Sequence, residues 1–518
     1  MKPAAMAVAM LMTATILAAA QPTSMANDDT CEIRPAPAAT LLLPYFEVDF
    51  SAPRSTARTT LFTVTNVSRL PQIAHVILWT DWGYPVVDFP LFLTGYDVQG
   101  IDLWDVLNKG VIAPTGPTSA GTSAALPIPN NTISPVNAPG AQPASNTGNP
   151  NLTVDVRTVC ANLPGFIPDV LLAEMQRVLT TGAAGGTVVA PSCTARLGGL
   201  HQHAIGYLTV DVVSTCTPRF PGPEYFLNDL LYDNVLIGDY ENINPDAASG
   251  NYAGGNPMVH IRAVPEGGPA GSIPGTALPY TFYDRFTPQP FVPRTVDRRQ
   301  PLPSTFAARY IQGGNGQFNT RYAIWREGVS GPIATSCAAS ANSAMAIAEV
   351  VRFDEHENAT TILINGPQIP THIALRIALP AASSAATSDS SVFPQLSTSG
   401  DVGGWMYLNL NNGGSTNYSS TRAGYAGPGT STTAVRQSQN WVIVSMYAEG
   451  RYGVEFDAPA LGNGCSVAPP AGATIGPTGN NVNGTYIGSV PICPTFDTGA
   501  TMPCANNPAY RGTNGTPP

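Results

Sequence analysis

Between residues 60 and 66, Phe62 and Val64 alternate with Thr63 and Thr65. That period of two predicts a strand with one face buried. Ile73-Ala74-His75-Val76-Ile77-Leu78-Trp79 is almost continuously apolar, which predicts a strand covered on both faces. Further strands are expected at Gly206-Tyr207-Leu208-Thr209-Val210-Asp211-Val212-Val213 and at Asn234-Val235-Leu236-Ile237-Gly238-Asp239-Tyr240. One segment has helical spacing instead. Leu171, Met175, Val178 and Leu179 fall on one face, Pro168 suits a first turn, and Asp169 and Glu174 favour the positive end. Gly182 is placed to end this helix, which is predicted over 168–181.

The second half of the chain echoes the first. Trp79-Thr80-Asp81-Trp82-Gly83 is matched by Trp325-Arg326-Glu327-Gly328, Gly206-Tyr207-Leu208 by Gly404-Trp405-Met406, and Asn234-Val235-Leu236-Ile237 by Asn440-Trp441-Val442-Ile443. The order is the same in both halves, so a duplicated β scaffold is expected. Long tracts nearly free of charge interrupt it, at 111–154, 381–400 and 412–439, with a Gly/Pro/Asn-rich tail at 466–518. Such stretches bury too little apolar surface to offset their ordering entropy, so they are expected to be loops. The expected divisions are a signal peptide at 1–26, a first β-sandwich at 27–265 with the 111–154 insertion, a second at 266–465, and the tail.

Composition sharpens the picture. Charged residues make up 11% of the chain, against about 25% in an ordinary soluble domain. Gly and Pro, at 50 each, favour loops and strands over exposed helix. Lysine stands only at Lys2 and Lys109, and the net charge is −10. That balance argues against nucleic acid, whose phosphates call for basic clusters. Lys2, the apolar run from Ala4 to Ala20 and Ser24-Met25-Ala26 together have the layout of a secretory leader. No later run reaches the length of a membrane span, and the Gly-Thr-Pro-Pro ending offers no anchor. Export is therefore expected, to the periplasm or beyond the cell. In that compartment eight cysteines, at Cys31, Cys160, Cys193, Cys216, Cys337, Cys465, Cys493 and Cys504, predict a disulfide framework. With four before residue 220 and four after 330, two separately stapled halves are expected.

Candidate chemistry is sparse. A complete Gly-x-Ser-x-Gly elbow, a phosphate loop and a His-Glu-x-x-His helix are all missing from the sequence, and no catalytic residue can be assigned. His201 and His203 would share one face of a strand and could hold a metal ion. Asp354, Glu355, His356 and Glu357 offer oxygens suited to Ca²⁺, or partners for Arg298 and Arg299. Trp79, Trp82 and Tyr84 would form a stacking platform for a glycan.

The succession of strand, Asn66-Val67-Ser68 turn, strand and Asp81-Trp82-Gly83 turn resembles immunoglobulin-like sandwiches of bacterial surface proteins. The resemblance implies a mainly β fold of two such sandwiches with one short helix, and brings no catalytic residue with it. The function expected is a secreted, non-enzymatic binding or structural protein whose partner is an extracellular protein or a glycan. The alternatives are a polysaccharide hydrolase with a carboxylate pair and a metal-dependent enzyme using His201 and His203. No cofactor is expected apart from Ca²⁺ at the acidic cluster.

Overall fold

Alternating burial shows how the chain makes its sheets. In β2 (Thr59–Asn66) every second side chain is buried, Phe62 and Val64 among them, and Thr63 and Thr65 are half-exposed. By contrast β1 (Thr40–Val48), β3 (Gln72–Thr80) and β6 (Ala204–Val213) are buried at every position, so they form a middle layer. This computed structural model describes residues 33–112, 167–263, 266, 299–326, 344–379, 402–412, 439–461 and 486, 487, 490 and 491, with short breaks inside those ranges. The expected leader at 1–26 lies outside the described residues, as do the tracts 111–154, 381–400, 412–439 and 466–518 apart from a few positions.

The fold is mainly β, with several antiparallel sheets and, among the described residues, one short α-helix. The remaining strands of the first half are β4 (Pro85–Leu93), β5 (Val98–Asp102), β7 (Leu236–Asn244), β8 (Tyr252–Pro257) and β9 (Val259–Ile261). They assemble as two sheets, β4-β3-β6-β1-β9 and β5-β2-β7-β8. The second half contains β10 (Thr305–Ile311), β11 (Phe318–Arg326), β12 (Ala344–Asp354), β13 (Ala359–Ile364), β14 (Gln368–Pro370), β15 (His372–Leu379), β16 (Gly403–Asn412), β17 (Asn440–Ala448) and β18 (Tyr452–Asp457). Its sheets are β10-β16-β12-β13, with β14 joined to β12, and β15-β11-β17-β18. A small hairpin, β19 (Tyr486–Ile487) with β20 (Val490–Pro491), follows.

Strand for strand, the two halves have one topology. Replacing β1, β2, β3, β4, β5, β6, β7 and β8 by β10, β11, β12, β13, β15, β16, β17 and β18 converts the first pair of sheets into the second. The repetition extends to register. Gly206 of β6 lies opposite Phe46, and Gly404 of β16 lies opposite Tyr310. One residue on, Trp79 stacks on Tyr207 with ring centroids 5.7 Å apart, and Phe353 stacks on Trp405 at 4.1 Å. Both glycines admit a neighbouring strand. A Cβ at Gly206 would sit 2.2 Å from the Trp79 carbonyl oxygen, and one at Gly404 would sit 2.0 Å from that of Phe353. The first of the three sequence echoes is out of frame, because Trp79 belongs to β3 whereas Trp325 lies on β11, the counterpart of β2.

The helix, α1 (Asp169–Thr181), starts after Pro168 and ends at Gly182, whose φ of 64° is the left-handed value favoured at this position. Its buried residues are Leu172, Met175, Val178 and Leu179, so the face is turned by one residue from the expected one and Leu171 is only partly covered. Asp105–Lys109 adds a π-helical turn that the sequence pattern did not announce. The apolar core is continuous across the two halves, and Trp325 meets Tyr207 edge-on at 5.9 Å.

The disulfide framework needs correction. Among the described residues no disulfide joins two cysteines. Cys193, the one cysteine described, is buried and is not a free thiol. What joins the described halves is the shared apolar core and the polar contacts described below.

Alanine at Gly206 or Gly404 is expected to cost about 1–3 kcal/mol, because a backbone carbonyl must move to admit the methyl group. A Cβ at Gly100 meets nothing within 4 Å, so Gly100→Ala is expected to stay within about 0.5 kcal/mol of the parent. Urea unfolding of the three variants measures the difference.

Candidate functional site

The histidines singled out from sequence are held apart. They precede β6 instead of lying in it, so the alternation of a strand does not bring them together. His201 Nε2 is 2.8 Å from Asp81 Oδ2, in the turn after β3, and Asp81 also accepts the Gly199 N–H at 2.9 Å. His203 Nδ1 is 2.8 Å from Glu47 Oε1, and its Nε2 is 3.7 Å from Asp49. Each ring thus serves its own carboxylate. Among the described residues no group of three or more His, Cys, Asp or Glu is placed to hold a metal ion.

The acidic run at Asp354–Glu357 is the turn between β12 and β13. Asp354 Oδ1 accepts the backbone N–H groups of His356 and Asn358, each at 2.8 Å, and Oδ2 accepts the Asn358 side-chain amide. These bonds, that from the Asn358 side chain foremost, lower the Asp354 pKa. Its oxygens close a turn, and Glu355 pairs with Arg309 at 3.0 Å. Arg299, proposed from sequence as a partner for these acids, is buried elsewhere. The three aromatics likewise do not form one open platform. Trp79 is sealed in the core with its indole N–H on Thr209, Tyr84 is buried, and Trp82 is partly buried beneath Arg196.

An open groove of about 670 Å³ lies on the sheet β5-β2-β7-β8. Thr63, Thr65, Asp239 and Glu241 line it at positions that alternate with the buried residues of β2 and β7. Asp239 accepts the Thr63 hydroxyl across the strand pair. Pro35, Leu61, Ile237 and Pro257 add apolar surface, and Asn256 and His260 also line it. His260 Nε2 accepts the Gly238 N–H at 3.0 Å. Burial lowers the His260 pKa to about 4, so the ring is neutral at pH 7 and carries its proton on Nδ1.

Two further polar clusters are sealed. In the first, Arg299 Nη1 lies 3.1 Å from Asp211 Oδ1, and both side chains are fully buried. Thr40 donates to the same Asp211 oxygen at 2.6 Å, and the Tyr225 hydroxyl donates to the other at 2.7 Å. His75 continues the chain, with Nδ1 3.2 Å from the Tyr225 hydroxyl and Nε2 3.0 Å from Asp88.

The second cluster lies at the seam where β18 meets β7 and β8. Glu455 accepts the Asn242 amide at 2.6 Å and the Ser445 hydroxyl at 2.9 Å. Glu47 lies nearby, held by Arg58 at 2.8 Å, by His203 and by the Tyr45 hydroxyl at 2.9 Å. Burial pushes Glu455 up to about 7, with Asp457 and Glu47 adding repulsion and the two hydrogen bonds opposing it. Asp457 is also pushed up to about 7 by burial, against the Trp441 indole and the Tyr240 hydroxyl. Glu455 is the deeper of the two, since Asp457 keeps part of its surface exposed while its Oδ1 is sealed.

Neither Glu455 nor Asp457 was singled out from sequence. They alternate with Val454 and Phe456, a pattern that equally describes a strand with its acids in water. Here the acids face inward, and it is Val454 that is half-exposed. Comparison with protein-family models, with curated proteins and with solved structures finds no match to this chain. Among the described residues no helix is long and apolar enough to cross a membrane.

Replacing Arg299 by Met leaves the Asp211 carboxylate sealed without its cation, which is expected to cost about 3–5 kcal/mol. Adding Asp211→Asn is expected to restore most of that loss. Urea unfolding of the single and double variants checks both outcomes.

Proposed function

We infer that this is an exported, non-enzymatic binding protein, and that the groove over β5-β2-β7-β8 receives a polar ligand, best an oligosaccharide. The observation that carries this reading is the groove's lining. Hydroxyls and carboxylates stand at strand spacing on an open floor, beside the aliphatic faces of Leu61, Ile237 and two prolines. Sugar rings present hydroxyls at their edges and C–H faces above and below, and such a lining meets both. The two acids whose proton affinity is most altered, Glu455 and Asp457, belong to the seam and are absent from this lining. This arrangement supports recognition over turnover, since a catalytic acid must reach its substrate. The repeated strand order supports the finer reading of two immunoglobulin-like sandwiches in series. The leader-like first residues and the low charge support export.

The test is a glycan array followed by calorimetry. Thr63→Val and Asp239→Asn are each expected to weaken binding by roughly tenfold, the size of a lost hydrogen bond to a charged group. Glu355→Gln, at an exposed ion pair on the other half, is expected to leave it unchanged. Failure of every glycan to bind would remove the reading. Sugar release abolished by Glu241→Gln, with the fold intact, would assign the groove to a hydrolase.

A further inference from the structure

β8 and β18 are the outermost strands of their sheets, β5-β2-β7-β8 and β15-β11-β17-β18. They meet across the seam, but the two sheets remain separate. Side chains and close backbone approach therefore make this contact, and it can part without breaking a ladder. The approach depends on Gly254, where a Cβ would come within 2.3 Å of the Glu455 Cβ and 2.9 Å of its backbone nitrogen. Through this gap Glu455 reaches Asn242 of the first half. Its other partner, Ser445, lies on β17.

We propose that Glu455 and Asp457 form a proton-operated latch between the two halves, closed while both carboxyls are protonated and loosened when they ionise. The groups facing the latch set its sign. From β7 come the neutral Tyr240 and Asn242, from β8 Asn256, and from β17 Ser445 and Trp441. The charged groups are on the far side. Glu47 of β1 faces Glu455 as a second carboxyl, and the basic side chains near it, Arg58 and His203, are bonded to Glu47 itself. His203 also faces Asp49. Among the described residues no ion pair reaches Glu455 or Asp457. Loss of the two protons thus places negative charge beside Glu47 in a sealed seam. Both acids have pKa values raised from their ordinary values of 4.5 and 3.8 to about 7. The folded state therefore holds protons that the unfolded chain has released. The stabilisation is complete below the ordinary values and is lost as pH rises through about 7.

The shared core and the Arg299–Asp211 pair lie elsewhere, so loosening is confined to the edge. Amide hydrogen exchange of the full chain, corrected for the intrinsic effect of pH, reads it directly. Protection of β8 and β18 is expected to fall roughly tenfold or more between about pH 5 and about pH 8, while β3 and β6 hold theirs. The double variant E455Q/D457N is expected to keep β8 and β18 protected at both values. An equal fall in the variant, or a fall shared by β3 and β6, would overturn the proposal. Should the double variant not fold, infrared spectroscopy of the parent chain decides. At about pH 6, where exposed carboxyls are ionised, a protonated-carboxyl stretch is expected, and it should disappear as the pH passes about 7. Its absence at about pH 6 would equally overturn the latch.

Discussion

A carboxylate sealed in the middle of the first half governs how the chain must be put together. Asp211 sits on β6, a strand buried at every position, where an unpaired charge would be costly. Its cation, Arg299, comes from the stretch of chain that leads into the second half, more than eighty residues away. Thr40, Tyr225 and, through Tyr225, His75 extend the network. A pair of this kind is weak evidence for net stability, because both ions lost their water. It is strong evidence for register. β1, β3, β6 and the entry to the second half must all be in place before the charge is satisfied.

Around that point the molecule repeats itself. Two eight-strand units share one order of pairing, a glycine at the same ladder position, and a stacked aromatic pair beside it. The repeated detail concerns how closely strands approach, which is the hardest feature to change by single substitutions. The outward and edge positions have diverged. The first half carries the polar groove and the second supplies the acids of the seam, so different tasks fall to equivalent sheets.

Much of the strand layout was legible in the sequence, for a physical reason. Phe62 and Val64 alternate with threonines because one face of β2 is wet, and 73–79 is apolar throughout because β3 has no wet face. Pro168 and Gly182 bracketed the helix through their backbone preferences. The site was far less legible. His201 and His203 looked like a pair only on the assumption of a strand, whereas Asp81 and Glu47, from distant elements, draw them apart. Asp354 looked like a ligand set until its oxygens were seen to close their own turn. Glu455 gives the opposite lesson. Period two told which residues share its face but not which side of the sheet is dry, because that is decided by Gly254, two hundred residues earlier.

The position matching Asp211 in the second half is Asn409. It lies opposite Thr305 as Asp211 lies opposite Thr40, it is just as buried, and it carries no charge. In buried charge, then, the dependence between the halves runs one way. Severed between them, the first unit would keep the Asp211 carboxylate without Arg299, while the second has an uncharged amide at the matching place. An acid on one side and an amide on the other make two units of one strand order an ordered pair, in which the first looks to the second for its cation.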